Sequence, residues 1–166
     1  MAYDHDDDAA QPTSLPPAVA GTIFFARVLL GLYFLLAGLA KAAGEFHDGF
    51  GTFYNSVFKG MQPPFLPDFL GAPMGYLLPW LEIVFGFLFL IGLLTRVSAV
   101  VLALLLTSFT MALIYANHSI AGGGPGAFHS NVLLIAICLI VLAAGPGKLS
   151  VDALASGSQR DVDATL

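Results

Sequence analysis

The sequence predicts an all-α integral membrane protein, a four-helix bundle with an interfacial amphipathic helix between its first two crossings. Of the 166 residues, 57% are hydrophobic and 10% are charged, which is far more apolar than an ordinary water-soluble domain. The apolar residues form four stretches that are long enough to cross a bilayer, and glycine and proline separate them. A lipid bilayer is therefore the expected surrounding.

Charge and cysteine content exclude two classes of function. The net charge of -5, with only six Lys and Arg, leaves no basic surface for nucleic acid. The single cysteine, Cys138, cannot form an internal disulfide or a dithiol pair. It lies in the middle of an apolar stretch, where we expect a small buried hydrophobic side chain.

The chain divides into a membrane domain, residues 16–147, and two polar tails, residues 1–15 and 148–166. The N-terminal tail has four aspartates and no lysine or arginine, so we expect it to be disordered. The C-terminal tail follows a Gly-Pro-Gly break and is also expected to lack structure. The predicted crossings are residues 19–41, 74–94, 97–116 and 129–144.

The segment between the first two crossings, residues 45–70, is aromatic but too polar to cross. Its aromatic residues recur at helical spacing, starting with Phe46, Phe50 and Phe53. Two interpretations share this pattern: a helix that lies in the membrane interface, and a lid that folds over the bundle.

The few cations indicate the orientation. Arg96, Lys148 and Arg160 fall on the side of the two termini, whereas Lys41 and Lys59 fall on the other. Because cytoplasmic loops carry an excess of Lys and Arg, both termini are predicted to be cytoplasmic.

Two charges lie deep in the predicted crossings. Arg27 is about two turns into the first, and Glu82 is near the middle of the second; each costs ~2.5 to 3.5 kcal/mol at a helix centre unless it is paired. Their estimated depths differ by only several Å, at ~1.5 Å per residue, so an Arg27–Glu82 pair is predicted. Lys41, at the end of the first crossing, is a competing partner. The pair can be a structural ion pair or a proton relay.

Small residues and charges share one stripe on each of these helices. The first stripe contains both cations, two glycines and Phe34. Small residues let a neighbouring backbone approach closely, so the two stripes are predicted to pack together. The first comprises Arg27, Gly31, Phe34, Gly38 and Lys41, and the second comprises Gly75, Pro79, Glu82, Gly86, Phe89 and Arg96.

Polar groups are expected to collect at the outer ends of the helices, above Glu82. Trp80, Tyr76 and the aromatic segment wall this predicted pocket, which suits an amphipathic cofactor such as a quinone. The histidines can equally be ordinary residues at the water boundary, and they show no metal-ligand spacing, so no metal, haem or flavin is predicted. The cofactor-binding candidates are His118, His129, Asn131, Trp80 and Tyr76.

The motifs resemble the DoxX/DoxD family of small four-helix membrane proteins. They are Arg27-x3-Gly31-x6-Gly38-x2-Lys41, then Pro79-x2-Glu82-x3-Gly86, and the closing Gly145-Pro146-Gly147. The resemblance implies a bacterial or archaeal inner-membrane protein that is linked to quinone redox chemistry. It also makes Glu82, Arg27 and Lys41 the catalytic candidates.

Two functions are open at this point. One is a redox membrane subunit that binds quinone and works with a partner protein or a second copy. The alternative is a non-catalytic accessory subunit that packs against a larger respiratory or photosynthetic-type complex. A transporter is less favoured, because four crossings without inverted halves do not build the usual midplane site.

Overall fold

The protein is all-helical throughout the part that the structure, a computed structural model, describes: residues 16–117, 130–147 and 149–155. Short helical turns lie between the long helices. The helices are α1 (Pro17–Asp48), a π-helical turn (Tyr54–Phe58), α2 (Lys59–Met61), α3 (Asp68–Ile91), α4 (Thr95–Asn117) and α5 (Ser130–Ala144).

Three of these helices, α1, α3 and α4, are long and apolar enough to cross a membrane. The described part of α5 has 15 residues and is equally apolar, but it spans roughly 22 Å against the ~30 Å of a hydrocarbon core. The structure therefore bears out an all-helical membrane fold with three crossings by length, which is one fewer than predicted.

The helix ends follow the local sequence. Pro17 opens α1, where its missing N–H costs no hydrogen bond and its fixed φ suits the first turn. α3 ends at Gly92, whose φ of 73° is left-handed and suits a residue without a side chain. Only Leu93 and Leu94 then separate Gly92 from the start of α4, so α3 and α4 run antiparallel.

The pairing of α1 with α3 dominates the packing, and α4 pairs with α5. Gly31 lies directly on the backbone of Leu90 and Gly86, and Gly38 lies on that of Ile83 and Pro79. The predicted packing of the two stripes is confirmed. Between the helices lies an apolar core that includes Leu30, Phe34, Phe89, Leu102, Cys138 and Val141.

This antiparallel pairing gives the bundle two ends, which we name after the two cations of α1. The Arg27 end contains the start of α1, the turn between α3 and α4, and the end of α5. The Lys41 end contains the end of α1 and the start of α3.

Residues 49–61 form what we call the aromatic strap, which follows α1 at the Lys41 end. α1 itself continues to Asp48, seven residues beyond the predicted end of the first crossing. Phe53 and Tyr54 of the strap are buried, and the rings of Tyr54 and Phe58 lie on Gly75 of α3. The lid interpretation is therefore correct for this face of the segment, while Phe50 on its other face is exposed.

Part of the predicted unstructured C-terminal tail is ordered. Residues 151–155 form a helical turn, and the Asp152 N–H donates a hydrogen bond to the Gly92 carbonyl across the Arg27 end. Residues 151–155 are too few to show a periodic pattern that would predict this contact. The predicted N-terminal tail, residues 1–15, lies outside the described residues.

Candidate functional site

A buried ion pair connects α1 and α3 at the Lys41 end. Lys41 Nζ donates a hydrogen bond of 2.6 Å to Glu82 Oε2. The Glu82 side chain is 3% exposed and that of Lys41 is 22% exposed, so the carboxylate is sealed while part of the lysine side chain reaches the surface. Lys41 therefore neutralises the charge that the bilayer would otherwise exclude.

The predicted Arg27–Glu82 pair is wrong. The close contacts at Gly31 and Gly38 fix the register of α1 against α3, and this register places Arg27 beside Gly92 at the opposite end. Lys41, which does meet Glu82, is roughly 20 Å further along α1. The depth estimate failed because α1 and α3 extend beyond the membrane edges assumed for them.

Two aromatic rings flank the Lys41 ammonium. The Phe53 ring of the strap and the Phe109 ring of α4 each lie 5.6 Å from Nζ, within cation–π range. Three elements besides α1 therefore surround this one cation: α3 through Glu82, the strap through Phe53, and α4 through Phe109.

An apolar cavity of about 290 Å³ lies next to the ion pair, between the strap, the segment that follows it, α3 and α4. Phe109 belongs to both places, because it flanks Lys41 and lines the cavity. The hydroxyls of Thr107 and Ser108 donate to the carbonyls of their own helix, which leaves the lining apolar. The lining residues are Phe58, Met61, Pro63, Phe65, Leu66, Met74, Leu78, Thr107, Ser108, Phe109, Met111 and Ala112.

Arg27 belongs to a different arrangement at the other end. Its guanidinium donates to the carbonyls of Pro146 (2.8 Å) and Leu149 (2.5 Å), and the side chain is 1% exposed. Asp152 completes the contact: its carboxylate accepts the N–H groups of Leu94 and Thr95 at 2.9 Å each. We call these contacts of residues 146–152 the C-terminal clamp.

The Asp152 carboxylate is stabilised in its charged form. Burial works against the charge, but hydrogen bonds from Thr95 and Leu94 and the positive charge of Arg27 outweigh it, so the pKa of Asp152 lies below its usual value. The N-terminus of α4 contributes the free N–H groups that an anion favours.

A family model described as "Methylamine utilisation protein MauE" matches residues 19–147, which include both ends of the bundle and every helix crossing. The chain belongs to the MauE family. Comparisons with curated proteins and with solved structures find no match. Membership in this membrane family and three apolar helices of crossing length make it a multi-pass membrane protein.

The resemblance to DoxX/DoxD is therefore wrong. Its motifs were glycines and charges in apolar helices, and in this MauE-family chain Gly31 and Gly86 serve the close approach of α1 to α3. That physical requirement is common to many small membrane bundles, so the spacing alone does not distinguish families.

The other predicted site residues are placed as follows in the MauE-family chain. Tyr76 stacks on Phe50, with ring centroids 5.4 Å apart, and Trp80 packs edge-on against Phe46 at 5.9 Å. Both belong to α3 but contact the strap and α1, and neither lines the cavity. Asn131 is buried at the start of α5.

His118 and His129 lie outside the described residues. Among the residues that are described, there is no group of three or more His, Cys, Asp or Glu that could hold a metal ion.

Sequence analysis missed Glu45 and Phe109. Glu45 is 8% exposed, and its carboxylate accepts the N–H of Gly51 and, at 2.8 Å, the N–H of Phe53. A signal existed for Glu45, because it follows Lys41 by four residues and so shares its face of α1. Phe109 gave no signal, since it is one apolar residue among many in α4.

Proposed function

We propose that this member of the MauE family, whose description names methylamine utilisation, is the membrane subunit of a redox system and that it binds a quinone. The single observation that carries the proposal is the shared position of Phe109, between the Lys41–Glu82 pair and the apolar cavity. The polar head of a quinone can contact the Lys41–Glu82 pair while its apolar tail occupies the cavity.

The residues present suit a quinone. Lys41 supplies an ammonium with three donors, one of which is directed to Glu82, and Glu82 supplies the carboxylate that holds it. A bound quinone supplies two-electron chemistry that consumes and releases protons. In this proposal Lys41 donates a hydrogen bond to the ligand, and Glu82 holds or accepts a proton at its carboxylate oxygen.

The redox function requires a partner. The chain has one cysteine, Cys138, which is buried in the core, so dithiol chemistry cannot take place between its own residues. Electrons from a thiol or an amine substrate would therefore come through a partner protein, or through a second copy of this chain.

The membrane arrangement belongs to the same proposal. α5 is inferred to be the fourth crossing, because it pairs with α4 and its described part is as apolar as the others. Both termini are then on one side, with Arg27 and Arg96, and the excess of cations there favours the cytoplasm of an inner membrane. The exposed Phe50 and Phe65 at the Lys41 end would lie in the opposite interface.

An accessory subunit is the alternative, and the C-terminal clamp favours it. The buried Arg27 and the partly exposed Asp152 show that this chain uses charge to join its own segments. The Lys41–Glu82 pair could likewise join α1 to α3 without any ligand.

The test measures binding of a short-chain ubiquinone analogue to the purified protein in mild detergent. Glu82→Gln removes a charged hydrogen-bonding group, so affinity is expected to fall by about ten- to hundredfold while the fold is retained. Asp68→Asn is the control, since Asp68 lies in the first turn of the same helix and binds Gln62 instead.

The double variant Lys41→Met/Glu82→Leu separates the two functions. Replacing both charges with apolar side chains of similar volume is expected to keep the protein folded but abolish quinone binding. Unchanged affinity in Glu82→Gln and in the double variant would refute the site. Absence of quinone binding to the wild-type protein would leave the accessory function.

A further inference from the structure

The aromatic strap is attached to the helices by one side chain. Glu45, near the end of α1, accepts the N–H groups of Gly51 and Phe53. Among the described residues, no other side-chain hydrogen bond joins the strap to α1, α3 or α4, and packed rings supply further contacts. A buried carboxylate that accepts two backbone N–H groups makes charge-assisted bonds, which are stronger than neutral ones.

The strap begins at a turn that contains two glycines with positive φ. Gly49 has a φ of 102° and Gly51 a φ of 90°, values that residues with a side chain rarely adopt. The chain reverses here and returns along α3, where Gly51 lies against the Tyr76 ring. Two glycines in succession around Phe50 are the kind of short segment that can absorb the backbone rotation of a hinge.

The Glu45 contact sets the position of Phe53. Its N–H is one of the two that Glu45 holds, and its ring covers the Lys41 ammonium. Further along, Phe58 of the same strap lines the apolar cavity. One carboxylate therefore fixes both the cover of the ion pair and a wall of the cavity.

We propose that Glu45 is a positioning residue that holds the aromatic strap closed over the Lys41–Glu82 pair, and that release of its carboxylate opens the site to a ligand from the membrane. The inference rests on the proposed function only for the identity of that ligand. The movement of the strap is a property of the chain itself.

Acetylation of lysines in the purified full chain tests the closed strap. Lys41 is paired with Glu82 and only partly exposed, whereas Lys59 in α2 is exposed and provides an internal reference for the same sample. In Glu45→Ala, acetylation of Lys41 measured by peptide mass spectrometry is expected to rise by about tenfold, with Lys59 unchanged. Asp48→Asn is the matched control, because this exposed carboxylate is bonded to the neighbouring His47 and, in the described part of the chain, not to the strap.

Hydrogen exchange of the strap gives a second measurement. Glu45→Ala is expected to speed exchange in residues 49–58 without changing α3 and α4, and Glu45→Gln, which keeps one acceptor oxygen, is expected to be intermediate. Phe53→Ala removes the ring that covers the Lys41 ammonium but keeps the backbone N–H that Glu45 binds. It is therefore also expected to expose Lys41, and it replaces Glu45→Ala in the test if that variant does not fold. Unchanged Lys41 acetylation in the folded Glu45 and Phe53 variants would overturn the proposal.

Adding a ligand to the acetylation experiment distinguishes this proposal from the quinone proposal. The short-chain ubiquinone analogue is expected to protect Lys41 from acetylation in Glu45→Ala. If the strap opens but the analogue gives no protection and does not bind, the strap inference stands and the quinone proposal fails. If the analogue binds the wild type while Lys41 is no more reactive in Glu45→Ala, the quinone proposal stands and the strap inference fails.

Discussion

The two ends of the bundle use a cation on the same stripe of α1 in different ways. Arg27 is sealed, and its two terminal nitrogens donate to the carbonyls of Pro146 and Leu149, groups of the chain itself, while its buried Nε has no hydrogen-bond partner in the described part of the chain. Lys41 makes one bond to a carboxylate and remains partly open beside an apolar cavity. In the sequence, both are cations within an apolar helix, but only Lys41 lies where a ligand could reach it.

The difference follows from the chemistry of the two side chains. A planar guanidinium has several donors and can bind two carbonyls at once, which suits a fixed joint between segments. An ammonium is a compact charge on a flexible stem, and it can exchange one partner for another. A buried cation in a membrane helix is therefore evidence of a site only when a ligand can reach it, as at Lys41, whose side chain is partly exposed.

The largest expected effect is the loss of the clamp. Arg27→Met leaves the Pro146 and Leu149 carbonyls without their donor and removes the cation beside Asp152, so the free energy of unfolding should fall by about 3 to 5 kcal/mol. Thermal unfolding in a fixed detergent measures it. Quinone binding by the folded fraction should not change.

The control for this variant lies at the same end. Arg96 is exposed, so Arg96→Met should alter stability by no more than about 0.5 kcal/mol. A similar loss in both variants would mean that the clamp is no stronger than a surface charge, and the proposed contrast between the two ends would fail.

An intermediate effect is expected where α1 meets α3. A Cβ at Gly31 would lie 2.6 Å from the Leu90 nitrogen, so Gly31→Ala must push two backbones apart and should cost about 1 to 3 kcal/mol. At Gly44 the nearest atom would be 3.9 Å away, so Gly44→Ala should gain the roughly 0.5 to 1 kcal/mol of a better helix former. Thermal unfolding of both variants shows whether the close glycine contacts, rather than the charges, set the register of α1 against α3. Equal changes in stability in the two variants would argue against a role for the glycine contacts.

The helical fold could be predicted from the sequence because its signals are local. Apolar length identified the regions of α1, α3 and α4, and the spacing of Gly31 and Gly38 identified the face of α1 that meets α3. Lys41 was recognised as a partner for Glu82 because charge in lipid must be neutralised.

The remainder of the site could not be predicted because it depends on contacts between distant segments. The prediction pairs Arg27 with Glu82 because residues 148–166 are expected to lack structure and Pro146 only to end the last crossing, so its real partners are not considered. Glu45 was missed because its partners, Gly51 and Phe53, come close only after two left-handed glycines turn the chain. Periodicity carries no information about such turns.

The smallest expected effect concerns Asp152. Its pKa is lower in the folded chain than the ~3.9 of an unfolded aspartate, so its contribution to stability is complete above that value and is lost as the pH falls through the folded pKa. Because the side chain is partly exposed to solvent, Asp152→Asn should cost only about 1 kcal/mol at pH 7. Thermal unfolding of the wild type and the variant between pH 3 and 7 should give curves that converge at the acid end. A difference that is the same at every pH would show that the Asp152 charge does not strengthen the clamp.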